Sequence, residues 1–330
     1  MNSTAEMTVQ REVKRIGILL ADLGKLNTSV LKYLVLHLNT LQKTFEFEFL
    51  PTEFDEDILQ FSEELQREGI LRREDALQED ELIFLKDFVR KFSDRTIVDR
   101  NPATDSGKKL REQEIPVFRQ CYYKYLRLSI RGFKISDQEV PEHFVLITTA
   151  HFSENYYSLR EKDFTILALG GWERDLAPPS IIEYILTLIL RQSVAMVSRS
   201  LEGSVHFGTK GCLCDFSQSL YDVRLNILNG FVCSYCRAAL VSDGFGTLAN
   251  ELEHVLKKDW LGNVAEPYAP TRLAASMGYN LFVTKGFIMT RWEKLQSLLT
   301  EQFSIQLIAL IASTIAGVLV GIILARLAIH

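Results

Sequence analysis

The most constraining feature of this chain is an unbroken run of 23 uncharged residues at positions 303–325. At about 1.5 Å of rise per residue, a helix of this length spans roughly 34 Å. That is slightly more than the roughly 30 Å hydrocarbon core of a bilayer. Of the 37 Lys and Arg and 42 Asp and Glu residues, only Arg326 lies beyond Glu301. The run therefore predicts a C-terminal transmembrane helix over residues 303–325, with the lipid bilayer as a partner.

The charges that flank this run indicate its orientation. Lys285, Arg291 and Lys294 precede it and only Arg326 follows it, which by the positive-inside rule places the preceding domain in the cytosol. The N-terminal segment MNSTAEMTVQREVKR leads into a short, strand-like IGILLA, which is not the pattern of a secretory signal. We therefore expect a single-pass membrane protein whose N-terminal domain is cytosolic.

Small side chains recur at every fourth position of the predicted membrane helix. Positions four apart lie on one face of a helix, and a face of small residues lets two helices approach closely in lipid. We therefore expect this helix to self-associate and to give a homo-oligomer. The predicted packing face consists of Ala309, Ser313, Gly317, Gly321 and Ala325.

The rest of the chain has the composition of a folded domain. Apolar residues make up 47% and aromatic residues 10% of the sequence, which is enough to build a core and excludes a disordered chain. The formal net charge is −5, whereas broad nucleic-acid binding normally needs a basic face. Nucleic acid is therefore not an expected partner.

Hydrophobic patterns in this domain alternate between strand and helix. RIGILLAD predicts a buried strand, SVLKYLVLHLNTLQKTF an amphipathic helix and FEFEFLP an alternating strand. Such a β-α-β opening is typical of a mixed or parallel sheet with helices on its faces. Further helices are predicted from DEDILQFSEELQREG, EDELIFLKDFVRKFSD and IPVFRQCYYKYLRLSIRGF, and further strands from HFVLITTA and FTILALGG.

A long apolar pattern, SIIEYILTLILRQSVAMVSRSL, predicts a central buried helix with Ser180 as its N-cap. Together with the strands and helices above, this helix predicts an α/β fold, in which helices flank a mixed sheet, plus one C-terminal transmembrane helix. The predicted domains are an α/β domain over residues 1–262, a linker and juxtamembrane helix over 263–302, and the membrane helix over 303–325.

Four of the five cysteines lie in one short segment beside a histidine. Cys212 and Cys214 form a CxC pair, Cys233 and Cys236 form a CxxC pair, and His206 lies six residues before the first. Cysteines in the cytosol stay reduced, and a CxxC at a turn can direct two thiolates at one zinc ion. Segment 206–236 therefore predicts a structural zinc site. Its second pair of ligands is either Cys212 with Cys214, or His206 with Cys212.

The order of these elements resembles that of archaemetzincin-like zincins. The resemblance covers roughly residues 13–240 and rests on the β-α-β opening, two late strands, the long helix and the His/Cys segment followed by CxxC. In that family the long helix bears HExxHxxGxxH for a catalytic zinc, and downstream cysteines hold a second, structural zinc. The resemblance implies structural ligands at Cys212, Cys233 and Cys236, with His206 or Cys214 as the fourth.

The long helix departs from the family pattern. IIEYILTLILRQSVAMVSRS contains no histidine, and hydrolysis by a metal-bound water needs metal ligands as well as a general base. Glu183 alone cannot supply both. The resemblance therefore implies a fold of this family that has lost its catalytic site.

These patterns together predict a non-enzymatic, tail-anchored membrane protein. Its zinc-stabilised cytosolic domain would sense an unknown ligand or protein partner and couple to the self-associating helix, as in a bacterial defence effector that acts on a membrane. One alternative is a membrane-anchored, metal-dependent, protease-like hydrolase with an atypical site near His151 and His206. Another is a membrane scaffold.

Overall fold

A five-stranded sheet lies at the centre of the described part of the chain. Its strands are β1 (Lys14–Leu20), β2 (Phe45–Phe49), β4 (His143–Thr148), β6 (Ser158–Glu161) and β7 (Phe164–Ala168). Their order is β2-β1-β4-β7-β6. Neighbouring strands are parallel except for the antiparallel pair β6 and β7. Two short strands, β3 (Lys109–Leu110) and β5 (His151–Phe152), pair separately. The predicted mixed sheet is therefore confirmed.

The computed structural model describes Arg67 and residues 13–21, 23–50, 78–93, 109–110, 113–133, 140–152, 156–170, 172, 174–202, 206, 209, 211–217 and 220–327. Within these ranges, the side chains of residues 88–93, 109–110, 125–133, 151, 301–305, 307–308 and 321–327 are left out of the description. The helix predicted from DEDILQFSEELQREG lies almost wholly outside the described residues.

Helices flank the sheet, as the sequence predicts. They are α1 (Thr28–Leu41), α2 (Glu79–Ser93), α3 (Glu114–Phe133), α4 (Ile181–Val197), α5 (Leu220–Asn229), α6 (Ser234–Ser242), α7 (Gly246–Lys257), α8 (Pro270–Ser276) and α9 (Arg291–Leu327). The predicted β-α-β opening corresponds to β1, α1 and β2, with β1 and β2 parallel.

Two apolar clusters lie on opposite faces of the sheet. In β4, Val145 and Ile147 belong to the main core, which includes residues of α1 and α4. Phe144 and Leu146 belong to a second core with Phe118 of α3. Successive side chains of a strand point to opposite faces, so this strand is buried on both sides. That explains why HFVLIT is continuously apolar rather than alternating.

The central helix α4 begins at the cap that the sequence predicts. Ser180 accepts a hydrogen bond from the Glu183 backbone N–H, and Glu183 Oε2 accepts one from the Ser180 N–H at 2.7 Å. This reciprocal arrangement is a capping box. The Glu183 side chain also lies 3.5 Å from Lys258 Nζ. Glu183 therefore stabilises the start of α4 and its contact with the chain after α7.

The predicted transmembrane helix is wrong. No helix among the described residues is both long enough and apolar enough to cross a bilayer. Helix α9 begins with charged residues, among them Arg291, Glu293 and Lys294. The localisation that followed from this helix, a single-pass membrane protein with a cytosolic N-terminal domain, is wrong with it.

The start of α9 is fixed to the body of the molecule by one buried carboxylate. Glu293 is 6% exposed and lies 2.6 Å from Arg174 Nη1. It also accepts hydrogen bonds from the backbone N–H groups of Thr290 and Lys285. Burial opposes the charge on Glu293, but hydrogen bonds from Arg174 and these N–H groups outweigh it and lower the pKa of the carboxyl. The ionised form is therefore the one that the fold stabilises.

We expect Glu293→Gln to reduce the free energy of unfolding at pH 7 by about 1.5–3 kcal/mol, the usual value of a hydrogen bond to a charged group. A carboxyl with a lowered pKa contributes stability that is present above its unfolded pKa and lost as the pH falls through its folded pKa. The difference between the variant and the wild type should therefore shrink below about pH 4. Urea unfolding over a pH series measures it.

Glu142→Gln is the matched control, because Glu142 forms an exposed ion pair with Lys14 at 3.4 Å. Such pairs contribute about 0–1 kcal/mol. A Glu293→Gln effect that is no larger than this control, or that does not change with pH, would contradict the role given to Glu293.

Candidate metal centre

His206, Cys212, Cys233 and Cys236 converge on one point. One ligand atom from each lies within 4.8 Å of the others. His206 Nε2 is 3.1 Å from Cys236 Sγ and 3.3 Å from Cys233 Sγ, and the Sγ atoms of Cys212 and Cys236 are 3.7 Å apart. In a tetrahedral zinc site with Zn–S bonds of about 2.3 Å, sulfurs lie about 3.8 Å apart and a ligating nitrogen lies about 3.6 Å from each sulfur. The four residues could therefore hold a metal ion such as zinc.

The loop that carries Cys212 is held against the segment before α6. Leu213 donates a backbone hydrogen bond to Phe231 at 2.9 Å, and Phe231 donates one to Gly211 at 3.0 Å. These bonds form an isolated parallel bridge between Cys212 and Phe231. The bridge places Cys212 beside the CxxC pair, although more than twenty residues separate them in sequence.

Gly211 is needed immediately before this ligand. Its φ is +150°, and a Cβ atom there would lie 2.5 Å from Asn229 Cβ and 3.0 Å from Phe231 Cε1. Glycine alone avoids both the close approach and the unfavourable backbone conformation. The tight contact with the end of α5 therefore requires glycine at this position.

Helix α6 presents the CxxC pair. Cys233 is its N-cap, and its sulfur accepts a hydrogen bond from the Cys236 N–H at 3.5 Å. The Cys233 N–H in turn donates to Cys212 Sγ at 3.5 Å. Two backbone N–H groups therefore hold the sulfurs of Cys212 and Cys233 in position.

Burial differs between the four residues. Cys212 and Cys236 are both 0% exposed and belong to the main core, whereas His206 and Cys233 are partly exposed. The centre therefore lies at the edge of the core, with two sulfurs inside it and two ligands near the surface.

Cys214, the alternative ligand in the sequence analysis, lies beside this group rather than within it. Its thiol contacts those of Cys212 and Cys236, and hydrogen bonds from these two thiols lower the pKa of Cys214. The contacts with Cys212 and Cys214 raise the pKa of Cys236. The thiols of Cys212, Cys214 and Cys236 therefore lie in mutual contact.

Sequence reasoning missed Asp215, which contacts the histidine from the side away from the thiols. Its Oδ1 lies 2.8 Å from His206 Nδ1, but without the in-line geometry of a hydrogen bond. Asp215 is 2% exposed. Ligating histidines commonly place the ring nitrogen that is not bound to metal against a carboxylate. The position of Asp215 directly after the CxC pair could therefore have identified it, from the sequence, as a partner of the histidine.

The other residues considered in the sequence analysis lie elsewhere. Cys121 belongs to the second core, where burial raises the pKa of its thiol to about 11. Ala309, Ser313 and Gly317 are exposed on α9, while the side chains of Gly321 and Ala325 lie outside the described part. The backbone of His151 forms part of β5. Its side chain is likewise outside the described part, so the alternative site near His151 and His206 stays a prediction.

The chain matches no protein-family model, no curated protein and no solved structure. The resemblance to archaemetzincin-like zincins is therefore neither supported nor contradicted by these comparisons. The metal centre is recognised by its donor atoms and their geometry alone.

Proposed function

We propose that this protein binds one zinc ion through His206, Cys212, Cys233 and Cys236, and that the ion has a structural role. The observation that carries the proposal is the convergence of three sulfurs and one imidazole nitrogen within 4.8 Å. Thiolate and imidazole donors in a tetrahedral arrangement favour zinc over magnesium or calcium, which prefer oxygen ligands.

A structural role follows from the number of ligands. Four protein ligands fill a tetrahedral zinc shell and leave no position for a reactive water, whereas catalytic zinc keeps one position open. We infer that the ion joins the Cys212 loop to the start of α6, two segments that backbone hydrogen bonds at Gly211, Leu213 and Phe231 already hold together.

We propose that the protein is a non-enzymatic, zinc-stabilised α/β domain. The long helix α4 supports this interpretation, because its sequence contains no histidine. Its only carboxylate, Glu183, is engaged in the capping box and by Lys258. That such a domain senses a ligand or protein partner stays a prediction from the sequence.

Metal analysis of the purified full chain tests the proposal. We expect about one zinc per chain after extensive dialysis, and we expect chelation to lower the thermal unfolding temperature as the metal leaves. Cobalt substitution should give the strong visible absorption of a tetrahedral, sulfur-rich site. A protein that retains no zinc, or whose thermal unfolding is unchanged when the zinc is removed, would contradict the structural role.

A further inference from the structure

We infer that Asp215 is the positioning residue of this metal centre and that it fixes the His206 ring with Nε2 directed at the three thiols. This inference rests on the zinc binding proposed above. It goes beyond the ligand set, because it assigns a role to a side chain that does not itself contact the metal.

The two ring nitrogens of His206 face different partners. Nε2 lies 3.1 Å from Cys236 Sγ and 3.3 Å from Cys233 Sγ, while Nδ1 lies 2.8 Å from Asp215 Oδ1. A carboxylate accepts hydrogen bonds and cannot donate them. The contact lacks in-line hydrogen-bond geometry, but a carboxylate oxygen this close would repel a lone pair on Nδ1, so the tautomer with a proton on Nδ1 is favoured. That tautomer leaves the Nε2 lone pair free for a metal.

The Asp215 carboxylate is itself held in place. Its Oδ2 accepts hydrogen bonds from the backbone N–H of Gly211 at 2.9 Å and of Cys212 at 3.2 Å. Its Oδ1 also accepts one from the hydroxyl of Thr209. One oxygen therefore orders the backbone at the Cys212 ligand, and the other faces the His206 ligand. A single buried side chain thus sets the positions of two ligands.

Because the two carboxylate oxygens have different partners, one variant can change the contact with His206 and keep the contacts with the Cys212 loop. In Asp215→Asn, the amide oxygen can keep the two bonds from Gly211 and Cys212, while the amide nitrogen takes the place of Oδ1. An amide N–H is a donor and cannot accept a hydrogen bond from the Nδ1–H of His206, so the required tautomer loses its support. Changes at such outer-shell partners typically cost 10–100-fold in metal affinity.

The matched control is Thr209→Val. It removes the hydroxyl that donates to the same Oδ1 but leaves the carboxylate facing His206. We expect competition with a chromophoric chelator to show zinc affinity reduced about 10–100-fold in Asp215→Asn and less than about threefold in Thr209→Val. In the metal-free proteins, the two variants should unfold at similar temperatures, because Asp215→Asn acts through the bound metal.

A measurement on the wild type tests the same inference without any variant. A long-range proton–nitrogen NMR spectrum of the zinc-loaded protein should show His206 protonated at Nδ1 and bound to metal through Nε2. Coordination through Nδ1, or equal zinc affinities in Asp215→Asn and Thr209→Val, would overturn the role of Asp215. A wild type that binds no zinc would instead refute the proposed function, so the two failures are distinguishable.

Discussion

Cys236→Ser is expected to abolish zinc retention and to cost about 5–7 kcal/mol of stability when zinc is present. A ligand that binds only the folded state stabilises it by about 4 kcal/mol at a thousandfold excess over its dissociation constant. Cys236 is 0% exposed, so a serine hydroxyl left there without a partner adds about 1–3 kcal/mol. Since whole domains are stable by about 5–15 kcal/mol, this variant should be barely folded. Metal content and urea unfolding, each with and without added zinc, measure the effect.

Cys121→Ala is the control for this change. Cys121 is also buried, at 1% exposure, but it lies in the second core. We expect this variant to keep one zinc per chain and to lose the same amount of stability with and without zinc. If Cys236→Ser retained zinc, or if its loss of stability were independent of zinc, the assignment of Cys236 as a ligand would be wrong.

Gly211→Ala is expected to reduce stability by about 2–6 kcal/mol and to weaken zinc binding. A residue held in an unfavourable backbone conformation costs of order 1–3 kcal/mol, and overpacking typically costs a further 1–3 kcal/mol. Both apply here, since φ is +150° and the new Cβ would lie 2.5 Å from Asn229 Cβ. Relief of the clash moves the neighbouring Cys212 away from Phe231. Denaturant unfolding and zinc competition measure the two effects.

Gly244→Ala is the control that separates the cost of the backbone conformation from the cost of the steric clash. Gly244 has φ of +87°, and an added Cβ would meet no atom within 4 Å. This control should therefore show the conformational cost alone, about 1–2 kcal/mol, with unchanged zinc affinity. If Gly211→Ala were no worse than Gly244→Ala, the close approach of α5 to the metal loop would not be a constraint.

The sheet and its helices could largely be predicted because local patterns determine them. The buried strands β1, β4 and β7 are rich in apolar residues, and Ser180 with Glu183 marks the start of α4. The edge strand β6 was missed, since its sequence SLRE is only half-buried and lacks both the apolar run and the alternation that mark a strand. Its pairing with β7 depends on tertiary contacts that no local pattern records.

The metal residues could be named from their spacing, but the choice between His206 and Cys214 could not. Both alternatives place two donors near the CxxC pair, and only the folded loop shows that His206 lies with the four-residue group. The error over the C-terminal helix has a different origin. The prediction counted uncharged residues in the sequence, whereas no helix among the described residues is both long enough and apolar enough to cross a bilayer.

The uneven burial of the candidate metal centre determines the side from which a bound ion would be reached. Cys212 and Cys236 are enclosed by the core, while His206 and Cys233 are partly exposed. A chelator that competes for an ion bound here would therefore approach from the side of His206 and Cys233. We expect the bonds to these two residues to break first, so that His206 and Cys233 would control the rate at which the ion leaves.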